Sequence, residues 1–498
     1  MPLCPPTSTA SWLREARDDI PLQQIISKDV VEWERRGKPR DRLYRSSQLK
    51  EAQAWASRNT PSGNEVAFLR AGTAQRMRSI ANVAIIMLLL LSTTGIAGWL
   101  LLHRPLDPTF VTTLNDAGPG SLRNAIDEAS PKSTISFDTS LRGTILLTSN
   151  DLNIAKNLTI RGPGAGILSI SSGKSGYVVH VLLGVTVTFS GLTFRDSRTS
   201  KGIIDNEGTL TLTNSSVSNN TALYSSIVGG IYNTGTLTLT NSTISGNTAQ
   251  YGNGGGIDNG GTLTLTNSTI SGNAAQYGSG SGIAVTGSNT NNGSIDTLTL
   301  TNSTISGNRA TGNGGGIAVI TGTGGNFTQE VLLLFCTLYG NTADVGGGIW
   351  DAVNSSISVV TQASIVAGNK AHAGPDISTF IDLQFYNLIG NLSGTSFPNF
   401  IFNTTRYPNV LGISFTALKI DPVLRDNGGS GQFHTWTHAL LTGSPAIDAI
   451  PLQYCRQIPY GFSGGQSLIT TDQRGIKRPD GNEQFCDIGA YGYVDSST

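Results

Sequence analysis

One phrase returns four times between residues 208 and 349. Thr209-Leu-Thr-Leu-Thr-Asn-Ser-Ser-Val-Ser-Asn-Asn is followed by Thr236-Leu-Thr-Leu-Thr-Asn-Ser-Thr-Ile-Ser-Gly-Asn, and near-identical runs start at Thr262 and Thr297. The asparagines that close the Thr-Leu run, Asn214, Asn241, Asn267 and Asn302, are 27, 26 and 35 residues apart. A second phrase follows each: Gly229-Gly-Ile231, Gly255-Gly-Ile257, Gly282-Ile283, Gly315-Gly-Ile317 and Gly347-Gly-Ile349. A repeat of this length is one supersecondary unit that buries its apolar face only by stacking on its neighbours.

The spacing within a repeat predicts the path of the chain. Leu210 and Leu212 alternate with threonine, as in a half-buried strand. Val217 has the opposite parity. A sharp turn at Asn214 puts both sets of apolar residues on one inner face, and asparagine tolerates the left-handed backbone such a turn needs. Each coil therefore holds a strand, an Asn turn, a second strand, a Gly-rich bend and a third strand around the isoleucine. The expected fold class is all-β, a right-handed parallel β-helix solenoid. Stacked coils would also place Asn214, Asn241, Asn267 and Asn302 above one another, exchanging amide hydrogen bonds as a structural ladder. Their Asn-Ser-Thr triplets match the glycosylation acceptor pattern, but the turn already accounts for the asparagine. Alternating strands upstream (Asn157–Arg161, Val185–Phe189) and Gly-Asn endings downstream (Asn341, Asn369) extend the stack both ways.

Residues 80–102 are 23 consecutive uncharged residues, enough for one transmembrane helix. Net charge is zero overall, but residues 1–79 hold 14 Lys+Arg against 9 Asp+Glu, leaving 19 against 24 in the rest. With Arg70, Arg76 and Arg78 before the apolar run, the expected orientation is N-terminus cytoplasmic and β-helix extracellular, with Trp99 near the outer interface. The expected division is 1–79, a short helical cytoplasmic segment; 80–102, the transmembrane helix; 103–109, a linker; 110–380, the parallel β-helix; and 381–498, its C-terminal end or cap. In the front segment Ser62-Gly-Asn-Glu65 fits a capping box, and Leu43–Arg58 is an amphipathic helix candidate with Leu43, Leu49, Ala52 and Trp55 on one face. No basic patch with interleaved aromatics supports nucleic-acid binding.

Of four cysteines, Cys4, Cys336, Cys455 and Cys486, no two have CxxC spacing, so neither a zinc site nor any other metal or cofactor is expected. Cys336 sits in an apolar run and reads as a buried free thiol. Cys455 and Cys486 flank one compact region and are expected to pair as a disulfide outside the cell.

Several phrases resemble known families. Val111-Thr-Thr-Leu-Asn-Asp-Ala-Gly-Pro-Gly-Ser-Leu-Arg-Asn-Ala-Ile126 resembles the opening of bacterial surface β-helix domains of the pectate-lyase-like superfamily. Ile244-Ser-Gly-Asn and Gly254-Gly-Gly-Ile resemble the repeats of polymorphic outer-membrane proteins. Tyr386-Asn-Leu-Ile-Gly, Asp426-Asn-Gly-Gly, Thr437-His-Ala-Leu, Gly443-Ser-Pro-Ala-Ile-Asp448, Asp472-Gln-Arg-Gly475, Arg478-Pro479 and Cys486-Asp-Ile-Gly-Ala-Tyr491 resemble choice-of-anchor Q proteins, with Gly492 where that pattern usually has Glu. Together these cover about 390 residues and imply a β-helix displayed at a cell surface. The stretch Trp33–Arg45, with Leu49-Lys-Glu-Ala and Phe68-Leu-Arg, is similar to the linker before the transmembrane helix of some bacterial STAND-ATPase/WD40 signalling proteins; a plain juxtamembrane linker explains it as well.

Function is less marked. Between Gly208 and Gly348 the only acids are Asp258, Asp296, Glu330 and Asp344. Arg195, Asp196, Asp205 and Glu207 are the densest charged group and read as surface charge. His434 and His438 are four apart, an even offset that on a strand would put both on one face and is compatible with a ligand pair, but His438 reads as a structural hydrogen-bonder. Asp472, Arg474, Arg478 and Asp487 are expected to form a salt-bridged cap over the last coil. The leading expectation is a non-catalytic surface protein with no catalytic residues, an adhesin or carbohydrate-contacting scaffold, whose partners are the lipid bilayer and an extracellular polysaccharide or another cell surface. The alternative is a polysaccharide lyase or glycoside hydrolase. A third reading is a ligand sensor with a cytoplasmic partner. Three or more carboxylates converging in one groove would favour the enzyme.

Overall fold

The structure is a computed structural model. It describes residues 9–102, 107–172, 177–199, 202–223, 228–286, 295–320, 328–352, 358–379, 381–394, 408–429, 435–455, 469–480 and 483–494. The chain forms two compact units, Met1–Pro105 and Leu106–Thr498.

The first unit is helical: α1 (Thr9–Arg35), α2 (Ser46–Arg58) and α3 (Gly63–Leu102). Ile26, Val30, Trp33, Leu49, Ala52, Trp55 and Phe68 share a small core, with Trp33 edge-on to Phe68. Leu43 is buried just before α2, and α2 buries Leu49, Ala52 and Trp55. The capping box forms: the Ser62 amide donates to Glu65 at 2.7 Å, and the Glu65 amide to the Ser62 hydroxyl at 3.4 Å. From there α3 runs unbroken through the apolar stretch. It is long and apolar enough to cross a membrane, and the side chains from Ile80 to Leu91 make no core. The Trp99 side chain and residues 103–106 lie outside the described residues.

The second unit is a parallel β-solenoid. One coil runs Ile204–Asn206, Thr209–Thr213, Ser216–Ser218, Thr221–Ala222, and the next begins at Ile231–Asn233. The Thr-Leu strands form an 11-stranded first sheet, the Val/Ile strands an 11-stranded second sheet, and the Gly-Ile strands a 9-stranded third sheet. Five middle coils add a two-residue strand, Thr221–Ala222 among them, that the repeat did not announce. Register is strict: Leu210 pairs with Leu237, then Leu263, then Leu298, and Val217 with Ile244, Ile270 and Ile305. All are fully buried in one continuous core.

The turn and the ladder separate. Asn214, Asn241, Asn267 and Asn302 adopt the left-handed conformation, φ 46–52°. Their amides do not form the stacked ladder, because a left-handed residue here turns its side chain away from the coil interior, and Asn214 is exposed. The next residue points inward instead: the Ser215 amide donates to the Ser242 hydroxyl, Ser242 to Ser268, and Ser268 to Ser303. The amide ladder lies six residues beyond each turn asparagine. Asn220 Nδ2 donates to Asn247 Oδ1 at 2.9 Å, and the series continues through Asn273, Asn308, Asn341 and Asn369 to the carboxylate of Asp376. A second ladder joins Asn206, Asn233 and Asn259.

The C-terminal region is a strap rather than a lid over the last coil. It lies along the outer face of the second sheet. Asn302 Nδ2 donates to the Thr471 carbonyl, Thr304 to Gln473, Ser306 to His438, and the Ala490 amide to Thr337. A second core forms beneath it from Phe335, Ala363, Ile365, Tyr386 and Leu388 of the coils with Leu418, Ile450, Cys455, Cys486 and Ile488.

Candidate functional site

The outward residues of the second sheet stand in two rows. One row is Ser169, Thr193, Ser216, Thr243 and Thr269, paired strand to strand. The other is Arg195, Ser218, Ser245 and Ser271. Small β-branched or hydroxyl side chains suit a strand face and leave it nearly flat. The strap covers the later coils but stops at Trp436, whose carbonyl accepts from Thr269 at 2.8 Å. The uncovered coils form the floor of a groove of 660 Å³, bounded by Trp436 at one end and by Ala165, Gly166 and Ile167 at the other. The Trp436 side chain is 52% exposed. Four strand spacings, roughly 19 Å, separate Ser169 from Thr269. Among the described residues that line the groove, Arg195 is the one charged group, and it lies 3.5 Å from the neighbouring Asp196 carboxylate. None of the described lining residues carries a carboxylate.

Such a surface offers hydroxyl donors and acceptors at regular intervals, an aromatic face and one cation. Among the described lining residues there is no acid–base pair and no cluster of hard oxygen ligands.

Apart from Arg195, the singled-out residues fall elsewhere. Arg195 and Asp196 belong to the second-sheet side, whereas Asp205 lies on the third sheet, beside His180. The sequence grouped Arg195 and Asp196 with Asp205 and Glu207, and the fold parts them. In exchange it brings His180 to Asp205 and Glu207, with all three possible ligand atoms within 4.8 Å of one another. His180 and Trp436 drew no functional expectation. The parity of Asp205 and Glu207 was visible, but His180 joins them only through coil register, and Trp436 meets Thr269 across 167 residues.

Asp472 and Arg474 form a buried ion pair at 2.7 Å, and Arg474 lies 3.7 Å from the centre of the Tyr491 ring. Arg478 donates to the carbonyls of Asp487 and Gly489 and covers the Phe335 ring. Asp487 accepts from the Asp448 and Tyr493 amides, and burial pushes its carboxyl up to about 6. These four residues thus tie the strap to itself and to the coil flank, where a cap over the solenoid end was expected. His438 is held between the Asp421 carbonyl and Ser306, and burial lowers its pKa. His434 lies outside the described residues, as does Cys4. Cys336 is a buried free thiol pushed up to about 12 by burial. Cys455 and Cys486 are disulfide-bonded, with Cα atoms 6.0 Å apart.

No family model matches the chain, and no curated protein matches it. Among solved structures it is similar to the pectate lyase Pel9A, at 12% identity and a TM-score of 0.39, over 77% of this chain and 96% of that one. It is also similar to the PL6 family alginate lyase AlyGC, at 12% identity and a TM-score of 0.21, over 65% of this chain and 60% of that one.

Proposed function

We propose that this chain is a membrane-anchored, non-catalytic glycan-binding protein whose site is the second-sheet groove. The observation that carries the reading is the groove's lining: rows of hydroxyls, an exposed Trp436 at the end, and no carboxylate among the described lining residues. Pyranose rings present C–H faces that stack on an aromatic ring and hydroxyls that pair with Ser and Thr. Arg195 would favour a chain that carries carboxylates.

Display outside the cell is part of the same proposal. The basic residues before the apolar stretch support a cytoplasmic front segment. The Cys455–Cys486 disulfide supports an oxidising compartment for the solenoid. The phrases similar to polymorphic outer-membrane and choice-of-anchor Q proteins support it too. Protease applied to intact cells should remove the solenoid and spare residues 1–79; a protected solenoid would reverse the orientation.

The site is tested with the full chain in detergent micelles on a glycan array, in parallel with polysaccharide-cleavage assays. Binding without cleavage is expected. Trp436→Ala should weaken it about tenfold, roughly 1.4 kcal/mol, the scale of one aromatic contact. Cleavage of the bound polysaccharide would replace this reading by the lyase or hydrolase.

A further inference from the structure

We propose that His180, Asp205 and Glu207 bind one divalent cation of the zinc type. His180 is in the strand Val179–Val181 and Asp205 in Ile204–Asn206, and the two are direct partners across the third sheet. Adjacent parallel strands lie about 4.8 Å apart, so side chains of matched residues meet side by side. Glu207 follows Asp205 by two residues, an even offset that keeps its carboxylate on the same outer face.

The distances suit an ion better than a hydrogen bond. His180 Nε2 lies 3.6 Å from Asp205 Oδ2 and 3.5 Å from Glu207 Oε1. Both are too long for a good N–H to carboxylate bond. Nε2 is buried and has no hydrogen-bond partner. A tetrahedral cation with ligand bonds near 2.1 Å sets its donors about 3.4 Å apart. Both distances from His180 therefore already match an edge of such a tetrahedron, and all three donor atoms lie within 4.8 Å of one another; the Glu207 side chain is half exposed, which leaves that side open for a fourth ligand.

The chemistry of the set selects the ion. Two carboxylates and one imidazole balance a divalent charge when the histidine is neutral. Imidazole favours zinc and its first-row neighbours, whereas calcium takes oxygen ligands in larger number. Tyr177 hydrogen-bonds Asp205 and packs 5.9 Å from the His180 ring, the kind of outer contact that holds a ligand in place. The site is on the third sheet and does not depend on the groove or on glycan binding.

The test is titration calorimetry of the full chain in detergent micelles, stripped with chelator, with zinc chloride and with calcium chloride. One equivalent of zinc should bind at micromolar affinity or tighter, and zinc should raise the melting temperature in proportion to the logarithm of its concentration. His180→Gln and Asp205→Asn should each weaken binding at least tenfold. Glu207→Gln should weaken it while leaving the metal-free melting temperature unchanged, since Glu207 sits in an exposed turn. His372→Gln, at the exposed His372–Asp344 pair, should change nothing. Absence of one-equivalent zinc binding, zinc binding that survives all three substitutions, or calcium binding as tight as zinc would each overturn the proposal.

Discussion

Asn247 takes part in five hydrogen bonds made by carboxamide groups, its own or that of Asn273. Its carboxamide oxygen accepts from the amide and side chain of Asn220, its own amide and side chain donate to Asn273, and its side chain also donates to the Val217 carbonyl. Asn241, in the same coil, is half-buried and supplies a left-handed turn, φ 49°. Asn247→Leu should therefore cost upwards of about 3 kcal/mol, since each orphaned buried group costs about 1–3 kcal/mol. Asn241→Gly, which keeps the turn, should cost a few tenths by the same denaturation measurement. Equal losses would mean that turn and ladder are not separate devices. The asparagine repeat was legible in the sequence, but not which asparagine faced inward. Both are periodic, and only the backbone conformation at each decides where its side chain goes. Asp258 makes a second test at this scale. It is buried beside Tyr232, accepts a hydrogen bond from Thr286, and burial pushes its carboxyl up to about 6. The folded chain thus holds this proton more tightly than the unfolded chain. Its contribution to stability is undiminished below the ordinary carboxylate range and is lost as pH rises from about 4 to 6. Asp258→Asn should match the parent near pH 4 and exceed it above pH 6, by up to about 3 kcal/mol. Parallel stability curves would refute the assignment.

At the scale of the coil, the Gly-Gly-Ile bend needs glycine for closeness rather than for conformation. A Cβ on Gly316 would sit 2.6 Å from the carbonyl oxygen of Gly348 in the next coil. Gly316→Ala should separate those coils and cost about 1–3 kcal/mol, the range of overpacked interiors. Gly307 is the opposite case. It is left-handed, φ 63°, with nothing within 4 Å of a built Cβ, and Asn219 occupies the equivalent turn in an earlier coil at φ 57°. Gly307→Asn should melt within a degree or two of the parent. The strand alternation, the phase shift at the turn and the capping box were all legible because each is local. The two-residue strand at Thr221–Ala222 was not, because so short a segment carries no period.

At the scale of the molecule, the strap sets what the solenoid presents. It meets coils 130 and more residues upstream, as His438 does at Ser306, and a sequence pattern gives no sign of which sheet a distant segment will cover. The groove was invisible for that reason, and so was the placement of Asp472, Arg474, Arg478 and Asp487 along the flank. The disulfide closes a 31-residue span within the strap, which loop entropy values at roughly 3–4 kcal/mol. The coils upstream can be shortened in whole steps. Thr236 and Thr262 are register partners, so deleting residues 236–261 brings Thr262 to the place Thr236 held. The shortened chain should fold with an unchanged β-sheet circular dichroism spectrum. The shortest oligosaccharide it binds should become smaller, since the groove loses one strand spacing, about 4.8 Å.

The two hydroxyl rows of the groove are near copies of themselves from one coil to the next: Ser216 and Ser218, Thr243 and Ser245, Thr269 and Ser271. A polymer shifted along the floor by one coil meets the same groups in the same order. The bound state of the proposed glycan complex would then be a set of nearly degenerate alignments rather than one, and their number would add an entropy of mixing to the affinity. Such a track would tolerate a ligand of irregular length and let it creep without letting go. It gives no single bond of that ligand a privileged address, which is what bond cleavage would need and what a hold on a long chain does not.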